Sequence, residues 1–512
     1  MVKLHEYQSK VILRRAGIRT PKGGAVITAG EARAMAIGIG SPVVVKAQVF
    51  VTGRAGKHLI HFADSPDDAA DAADRLLKQS FDGLTMDCAL VEERVKIERE
   101  FYVGLIIDVS ARAPVLIFSP VGGSGIEEIA AAHPDQVIRQ PIDIRHGLRD
   151  FEARDMCRQA GLTGKLMLQV SQFLMQFYEA ARSSEARAAE INPLALTASG
   201  DLLALDARFT VDDYAVFRHP ELNIDIAREF DRPPTKLERI AWDIEKSDYR
   251  GTFYFIQMET NFTKGQRAVG FHGNGGGGAM ISMDALFARG FKIANFVDTS
   301  GNPPASKVYR AARLILSQTG IDGYFLSGSG VASQEQYHSA RGLVKAFMDV
   351  PLNVPAVIRI GGNGEEQAIE ILHRANGSFP APVEAYGRDT TPDDCTARMD
   401  ALIASYTPVD NPTPRTVPTA AEPYRFETVT GGTITYDHAV CQTCTTKACV
   451  HSCDPKILSL DGDKPVLNIS REDAKRGGCT ECLACEVECY FNGARGAYIT
   501  LPIPGLEEPA HA

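Results

Sequence analysis

The chain has 512 residues, of which 44% are hydrophobic and 23% charged, and its formal net charge is −10 at pH 7. That length accommodates about three domains, each with a core of its own, and the composition excludes a disordered chain. The acidic balance leaves no basic footprint for nucleic acid, and no apolar run approaches the ~20 residues that a membrane helix needs. The opening Val2-Lys3-Leu4-His5-Glu6-Tyr7-Gln8 reads as polar and helical rather than as a secretory leader. Outside the C-terminal region only Cys88, Cys157 and Cys395 occur, too thin a scatter for a disulfide framework. A reducing cytoplasm is the expected location.

In chain order, the first informative segment is Pro42-Val43-Val44-Val45-Lys46-Ala47-Gln48, a buried-strand pattern carrying one lysine. Burying an ammonium costs several kcal/mol unless an anion meets it, and a phosphate would serve. Gly53-Arg54-Ala55-Gly56-Lys57 follows, a flexible loop with two cations that also reads as a plain basic turn. No G-x4-GK[ST] occurs, which excludes a Walker-type loop. Leu166, Val170, Phe173, Leu174, Phe177 and Ala181 line one face of a predicted helix. Then come Glu190-Ile191-Asn192-Pro193-Leu194, a turn near Ser199, and Leu202 to Asp206. Counting from the turn sets Asn192 opposite Asp206 across a hairpin, with Glu190 on the same face. Three hard oxygen donors on one face suit Mg²⁺ beside nucleotide phosphates; a hydrated edge hairpin fits them as well.

Asp231-Arg232-Pro233-Pro234 marks a domain boundary. Beyond it, strand patterns at 251–258, 267–272, 323–327 and 356–360 alternate with helical stretches, the signature of a doubly wound parallel sheet. Gly273-Asn274-Gly275-Gly276-Gly277-Gly278 satisfies G-x-G-x-x-G between a strand and a helix, with Asp298 about twenty residues on. NAD is therefore one reading of it, although six residues so rich in glycine satisfy many patterns. A stretch from Tyr406 to Tyr424, with Pro408, Pro412, Pro414, Pro418 and Pro423, reads as a linker. It is either extended and semi-stiff or packed flat along a neighbouring domain.

The last region holds Cys441, Cys444, Cys449 and Cys453, with Pro455 just after, and Cys479, Cys482, Cys485 and Cys489. Paired C-x2-C units also suit zinc. The two complete runs resemble bacterial two-cluster ferredoxins, with x4 in the first run where x2 is usual. In those proteins the last cysteine of each run serves the other cluster. The resemblance thus implies one [4Fe–4S] cluster on Cys441, Cys444, Cys449 and Cys489. It implies a second on Cys479, Cys482, Cys485 and Cys453.

Upstream, Leu4-His5-Glu6-Tyr7-Gln8, Val43 to Gln48, Glu190-Ile191-Asn192-Pro193 and Ala294-Asn295-Phe296-Val297-Asp298 resemble the β subunit of succinyl-CoA synthetase, with similarity from about residue 2 to about 405. The fold this implies is α/β: an ATP-grasp domain at 1–230, then a flavodoxin-like, doubly wound CoA-ligase domain at 235–405. The linker at 406–424 and a small α+β ferredoxin-like iron–sulfur domain at 425–512 complete the expected organisation. By position, the resemblance implies phosphate contacts at Lys46, Gly53 and Arg54, and the hinge and ribose region of the nucleotide site at Glu92, Val95 and Glu100. It implies Mg²⁺ ligands at Asn192 and Asp206, and makes Glu190 the acid that meets a phosphohistidine. Asn274, Gly330 and Val331 match the substrate and phosphate loops, a reading preferred over NAD for the glycine run. Ala55 stands where the family has glycine.

The implied activity is that of a nucleotide-dependent, NDP-forming acid–CoA ligase using ATP or GTP and Mg²⁺. CoA and the phosphohistidine belong to a partner α subunit, in an αβ or α2β2 assembly, with no nucleic acid or membrane involved. Two loops depart from the family. Asp298-Thr299-Ser300-Gly301-Asn302-Pro303-Pro304 replaces a glycine-rich loop, and Ser329-Gly330-Val331-Ala332-Ser333 lacks the family's arginine. The acid, succinate or a relative, is left open by these changes. His272 is unusual at its place, either a second phosphoryl-relay histidine or a hydrogen-bonded one. The alternative function is an ATP-dependent reductase complex passing electrons through the clusters to a redox partner, and a third reading makes the cysteine module a docking element.

Overall fold

The computed structural model describes residues 2–40, 42–49, 59–81, 84–86, 88–123, 134–224, 234–248, 252–413, 415 and 419–506. The loop from Gly53 to Lys57 lies outside them. The chain divides into two compact units, Met1–Pro234 and Thr235–Ala512. Among the described residues no helix is long and apolar enough to cross a membrane.

The first unit contains two main sheets. The smaller has the strand order Gly23–Val26, Ala89–Glu93, Val43–Ala47, Ile60–Ala63, all antiparallel. Helices Ala29–Ile39 and Pro66–Lys78 cover it, burying Ala32, Ala36, Ala69, Ala73 and Leu76 against Val43, Val45 and Val91. The second helix starts where Ser65 accepts a hydrogen bond from the Asp68 amide, with Pro66 inside the first turn. The larger sheet has seven strands, centred on Ala186–Thr197 and Ile97–Asp108. Its core is closed by Glu6–Arg15 and by Gly164–Ser183, whose face Val170, Phe173, Leu174, Phe177 and Ala181 is buried. The chain passes from the small sheet to the large one through Arg94, Val95 and Lys96.

The second unit is built on a six-stranded sheet in the order Tyr254–Gln257, Lys292–Asp298, Ala268–Asn274, Gly323–Gly328, Ala356–Arg359, Val383–Tyr386. The first strand is antiparallel and the other five are parallel. Numbered among themselves, the parallel strands run 2-1-3-4-5, the doubly wound order, and the strand order reverses between Ala268–Asn274 and Gly323–Gly328. A ligand crevice belongs at the carboxyl ends of those two strands.

The C-terminal segment adds a three-stranded antiparallel sheet (Pro423–Glu427, Thr433–Asp437, Ala497–Thr500), a two-stranded ribbon (Leu458–Asp461, Lys464–Leu467) and short helices that present the cysteines. It falls within the same compact unit as the doubly wound sheet. One hydrophobic cluster runs unbroken from Val308, Leu343 and Phe347 to Phe426, Ile434, Tyr436 and Ile499. The described residues of the proline-rich stretch lie flat along this unit: Tyr406 donates to Asn353, the Val409 amide does the same, and Arg415 reaches Glu486.

Candidate functional site

Three constellations carry chemistry. In the first unit, Lys46 sits on a central strand of the small sheet, and burial would strip its ammonium of water. The structure supplies anions from its own chain. Lys46 Nζ is 2.7 Å from Glu6 Oε1, 3.1 Å from Glu92 Oε2 and 2.7 Å from the Leu205 carbonyl. A second lysine, Lys10, shares the same acceptors, at 2.7 Å from Glu6, 2.6 Å from Glu92 and 2.7 Å from Leu205 O. Burial lowers the pKa of Lys10 despite Glu6 and Glu92. Burial also pulls on Lys46, but Glu6, Glu92 and Asp206 together hold its pKa above the ordinary value. The Lys46 side chain is 12% exposed and that of Lys10 is 0%, so of the two Lys46 is the one that reaches the surface of the site. Glu92 is thus engaged with two lysines.

The hairpin continues this constellation. The Asn192 amide donates to the Asp206 carbonyl at 3.2 Å, and the Leu205 amide to the Pro193 carbonyl at 3.1 Å, which sets Asn192 and Asp206 opposite one another. Glu190 lies half-buried two residues before, paired across the sheet with Arg208 and Gly104. Asn192 Oδ1 accepts from the Gly123 amide at 3.0 Å. A Cβ on Gly123 would stand 2.4 Å from Glu100 Oε2, so Glu100 reaches the same edge. Lys46, Asn192, Asp206 and Glu100 are therefore linked through shared partners, with Val95 at the crossing between sheets. Oxygen donors beside a desolvated lysine form the arrangement that a metal-bound polyphosphate requires. Gly53 and Arg54 lie outside the described residues.

At the switch point of the second unit, the strand Ala268–Asn274 ends in Gly275, which has φ 100°, and helix Gly276–Ala288 follows. The Gly275 amide donates to Asp298 at 3.2 Å, and Asn274 Nδ2 donates to Gln336 Oε1 at 2.7 Å. Asn274 Oδ1 is buried with no hydrogen-bond partner among the described residues. Gly330, at φ 77°, and the exposed Val331 belong to the neighbouring loop, which Asn302 and Asn363 tie down through Ser333. The loop approaches so closely that a Cβ on Gly278 would stand 2.4 Å from Ser329 Cα. His272 is not part of the crevice. Its ring is fully buried in the strand, 2.6 Å from the Tyr324 hydroxyl and 3.1 Å from Thr299 Oγ1, and burial lowers its pKa to about 3. A neutral, doubly hydrogen-bonded core histidine explains the sequence oddity without a phosphoryl relay.

The eight C-terminal thiols are free of disulfides and fall into two neighbourhoods. Cys441 and Cys449 are electrostatic neighbours of Cys489 and Cys444, whereas Cys479 and Cys485 are neighbours of Cys482 and Cys453. The chain thus exchanges the last cysteine of each run. Cys453, Cys479, Cys482 and Cys485 line one apolar pocket together with Phe426, Tyr436 and Ile457. Burial pushes the Cys479 thiol up to about 12 and Cys482 up to about 11. Such thiols ionise when metal binding displaces their protons to solvent, and four of them around one cavity are a donor set that fits an iron–sulfur cluster. Among the described residues no group of three or more His, Cys, Asp or Glu is gathered as a single-ion site.

A family model described as an ATP-grasp domain matches residues 3–196. The β subunit of the GDP-forming succinate–CoA ligase of Thermus thermophilus is 36% identical over 385 residues, 75% of this chain and 97% of that protein. The β subunit of the ADP-forming enzyme of Chloroflexus aurantiacus is 36% identical over 387 residues, with the same coverage. Among solved structures, the ATP citrate lyase of Methanothrix soehngenii, in complex with citrate and coenzyme A, superposes with a TM-score of 0.65 at 17% identity. It covers 78% of this chain and 99% of its own, a likeness of fold. With its ATP-grasp unit and its doubly wound sheet, the chain belongs to the β-subunit family of the succinate–CoA ligases, a family of CoA-ligase enzymes.

Proposed function

We propose that the chain is the nucleotide-binding β subunit of an NDP-forming acid–CoA ligase, with two [4Fe–4S] clusters on residues 425–512. The observation that carries this reading is the chain of shared contacts from Lys46 through Glu6, Glu92 and Leu205 to the Asn192–Asp206 hairpin. Lys46, with Gly53 and Arg54, neutralises nucleotide phosphates. Glu92, Val95 and Glu100 form the nucleotide side of the site, in an ATP-grasp domain at 1–230. Asn192 and Asp206 hold Mg²⁺, which spreads the charge of the transferring phosphoryl group. Glu190 orients the phosphohistidine of a partner α subunit that also supplies most of the CoA site. In the ligase domain at 235–405, Asn274, Gly330 and Val331 receive the acid and its phosphate. Their backbone amides and the start of helix Gly276–Ala288 favour an anion. Relatives are named for succinate; the Asp298–Pro304 and Ser329–Ser333 loops differ here, so the acid is succinate or a related carboxylate.

The chain is to be purified with its partner subunit and carboxylic acids screened for acid- and CoA-dependent ADP or GDP formation. Acyl-CoA formed in step with nucleotide turnover is the expected result. Turnover with no acyl-CoA from any acid counts against the ligase. A second reading, an ATP-dependent reductase, is favoured by one feature: the cysteine-bearing segment is joined to the ligase core by buried ion pairs, such as Lys345 with Glu486 at 2.9 Å. Ligase turnover that is the same with clusters oxidised or reduced by dithionite would sink it.

A further inference from the structure

The cysteine-bearing segment meets the ligase core along helices Ala305–Leu316, Tyr337–Asp349 and Glu365–Ala375, where Arg374 pairs with Glu488 at 2.7 Å, and the contacts follow a pattern. Each acidic residue used is a chain neighbour of a cysteine. Asp454 follows Cys453 and pairs with Arg341 at 2.6 Å. Glu481 lies between Cys479 and Cys482 and faces Arg310 at 3.8 Å. Glu486 follows Cys485 and pairs with Lys345. These three lie beside the Cys453, Cys479, Cys482, Cys485 group, whereas Glu488 precedes Cys489 of the other group, so three of the four pairs lie at the first group. By contrast Cys444, in the other group, is half-exposed.

Among these cations Arg341 makes the shortest ion pair, 2.6 Å to the acid next to Cys453. It is 4% exposed, and its Nε is buried with no hydrogen-bond partner among the described residues. The Arg341 guanidinium stacks over Tyr337, 4.7 Å from the ring centroid, and His338 Nδ1 stands 3.6 Å from Asp454. The helix is anchored at the switch point, because Gln336, just before its first residue, accepts the hydrogen bond from Asn274.

We infer that Arg341 is a positioning residue of the ligase core that sets the reduction potential of the cluster held by Cys453, Cys479, Cys482 and Cys485. The inference rests on the cluster reading given above. Reduction adds one electron, and hence one negative charge, to a group that is shielded from water. A buried cation beside one ligand stabilises the reduced form, and a buried carboxylate opposes it. Removing each in turn shifts the same cluster in opposite directions.

The test uses the full chain with its partner subunit, assayed first for iron and acid-labile sulfide and then titrated with dithionite under EPR detection. In Arg341→Gln one of the two transitions moves to a more negative potential. In Asp454→Asn the same transition moves to a more positive one. Arg341→Lys, which keeps the charge, stays near the wild type, and the second transition is unmoved throughout. Fully loaded variants with unchanged potentials, shifts of one sign, or equal shifts of both clusters would overturn the inference. Should Arg341→Gln fail to load iron, the sign of the Asp454→Asn shift decides. A wild-type chain that binds no iron overturns the cluster reading, and this inference with it, before any potential is measured.

Discussion

Single residues show how much depends on pairing. Lys10 and Lys46 are tolerated in the interior because each has two carboxylates and a carbonyl within about 3 Å. Breaking such a set leaves uncompensated buried charge. Lys10→Met is therefore expected to destabilise the first unit by about 3–5 kcal/mol. Arg33→Ala, which removes an exposed pair with Asp67, costs less than about 1 kcal/mol. Urea denaturation midpoints of the two variants check the contrast. His272 gives a pH prediction. Its folded pKa is about 3 against an ordinary value near 6.5, so the unfolded chain binds the proton that the folded chain refuses. The cost is absent above pH 6.5 and grows as pH falls from there toward 3, by at most about 1.4 kcal/mol per pH unit. His272→Gln removes that proton, and stability measured between pH 6.5 and 4.5 falls less steeply than in the wild type.

Elements act through close approach. The helix Gly276–Ala288 reaches the Ser329–Ser333 loop only because Gly278 has no side chain, and a methyl group there meets Ser329 backbone at 2.4 Å. Gly278→Ala is expected to push the two switch-point loops apart. The far-UV spectrum is retained, while KM for the acid rises and kcat falls, read in the acyl-CoA assay. The hairpin after Gly164–Ser183 works the other way. Its ladder, Leu194 opposite Ala204 and Leu196 opposite Leu202, sets Asn192 beside Asp206 by counting alone. That is why this pair was legible in the sequence. Glu92 was marked only by the family resemblance, as part of an expected hinge and ribose region. Its actual partners were not legible, because Lys10 is contributed by a helix far away in the chain.

At the scale of the whole molecule, the cysteine-bearing segment shares its apolar core with the ligase helices and buries Arg310, Arg341 and Lys345 against its own acids. A chain ending at Ser405 would expose this surface with its cations unpaired. Its second unit is expected to be digested rapidly in limited proteolysis, whereas the full chain resists, and its first unit, with a separate core, survives in both.

The sequence by itself determined what depends on short spacing. The C-x2-C runs, the hairpin count from Ser199 and the alternation of strands with helices all follow from backbone periodicity, which is local. Only the tertiary structure decided which thiols share a neighbourhood as a geometric fact. It also decided that His272 is a core residue, and that the cysteine segment lies fixed on the ligase core rather than at the end of an extended tether. Those outcomes depend on which faces pack together and which buried charges meet. Packing and charge pairing join residues distant in the chain, and no local pattern encodes them.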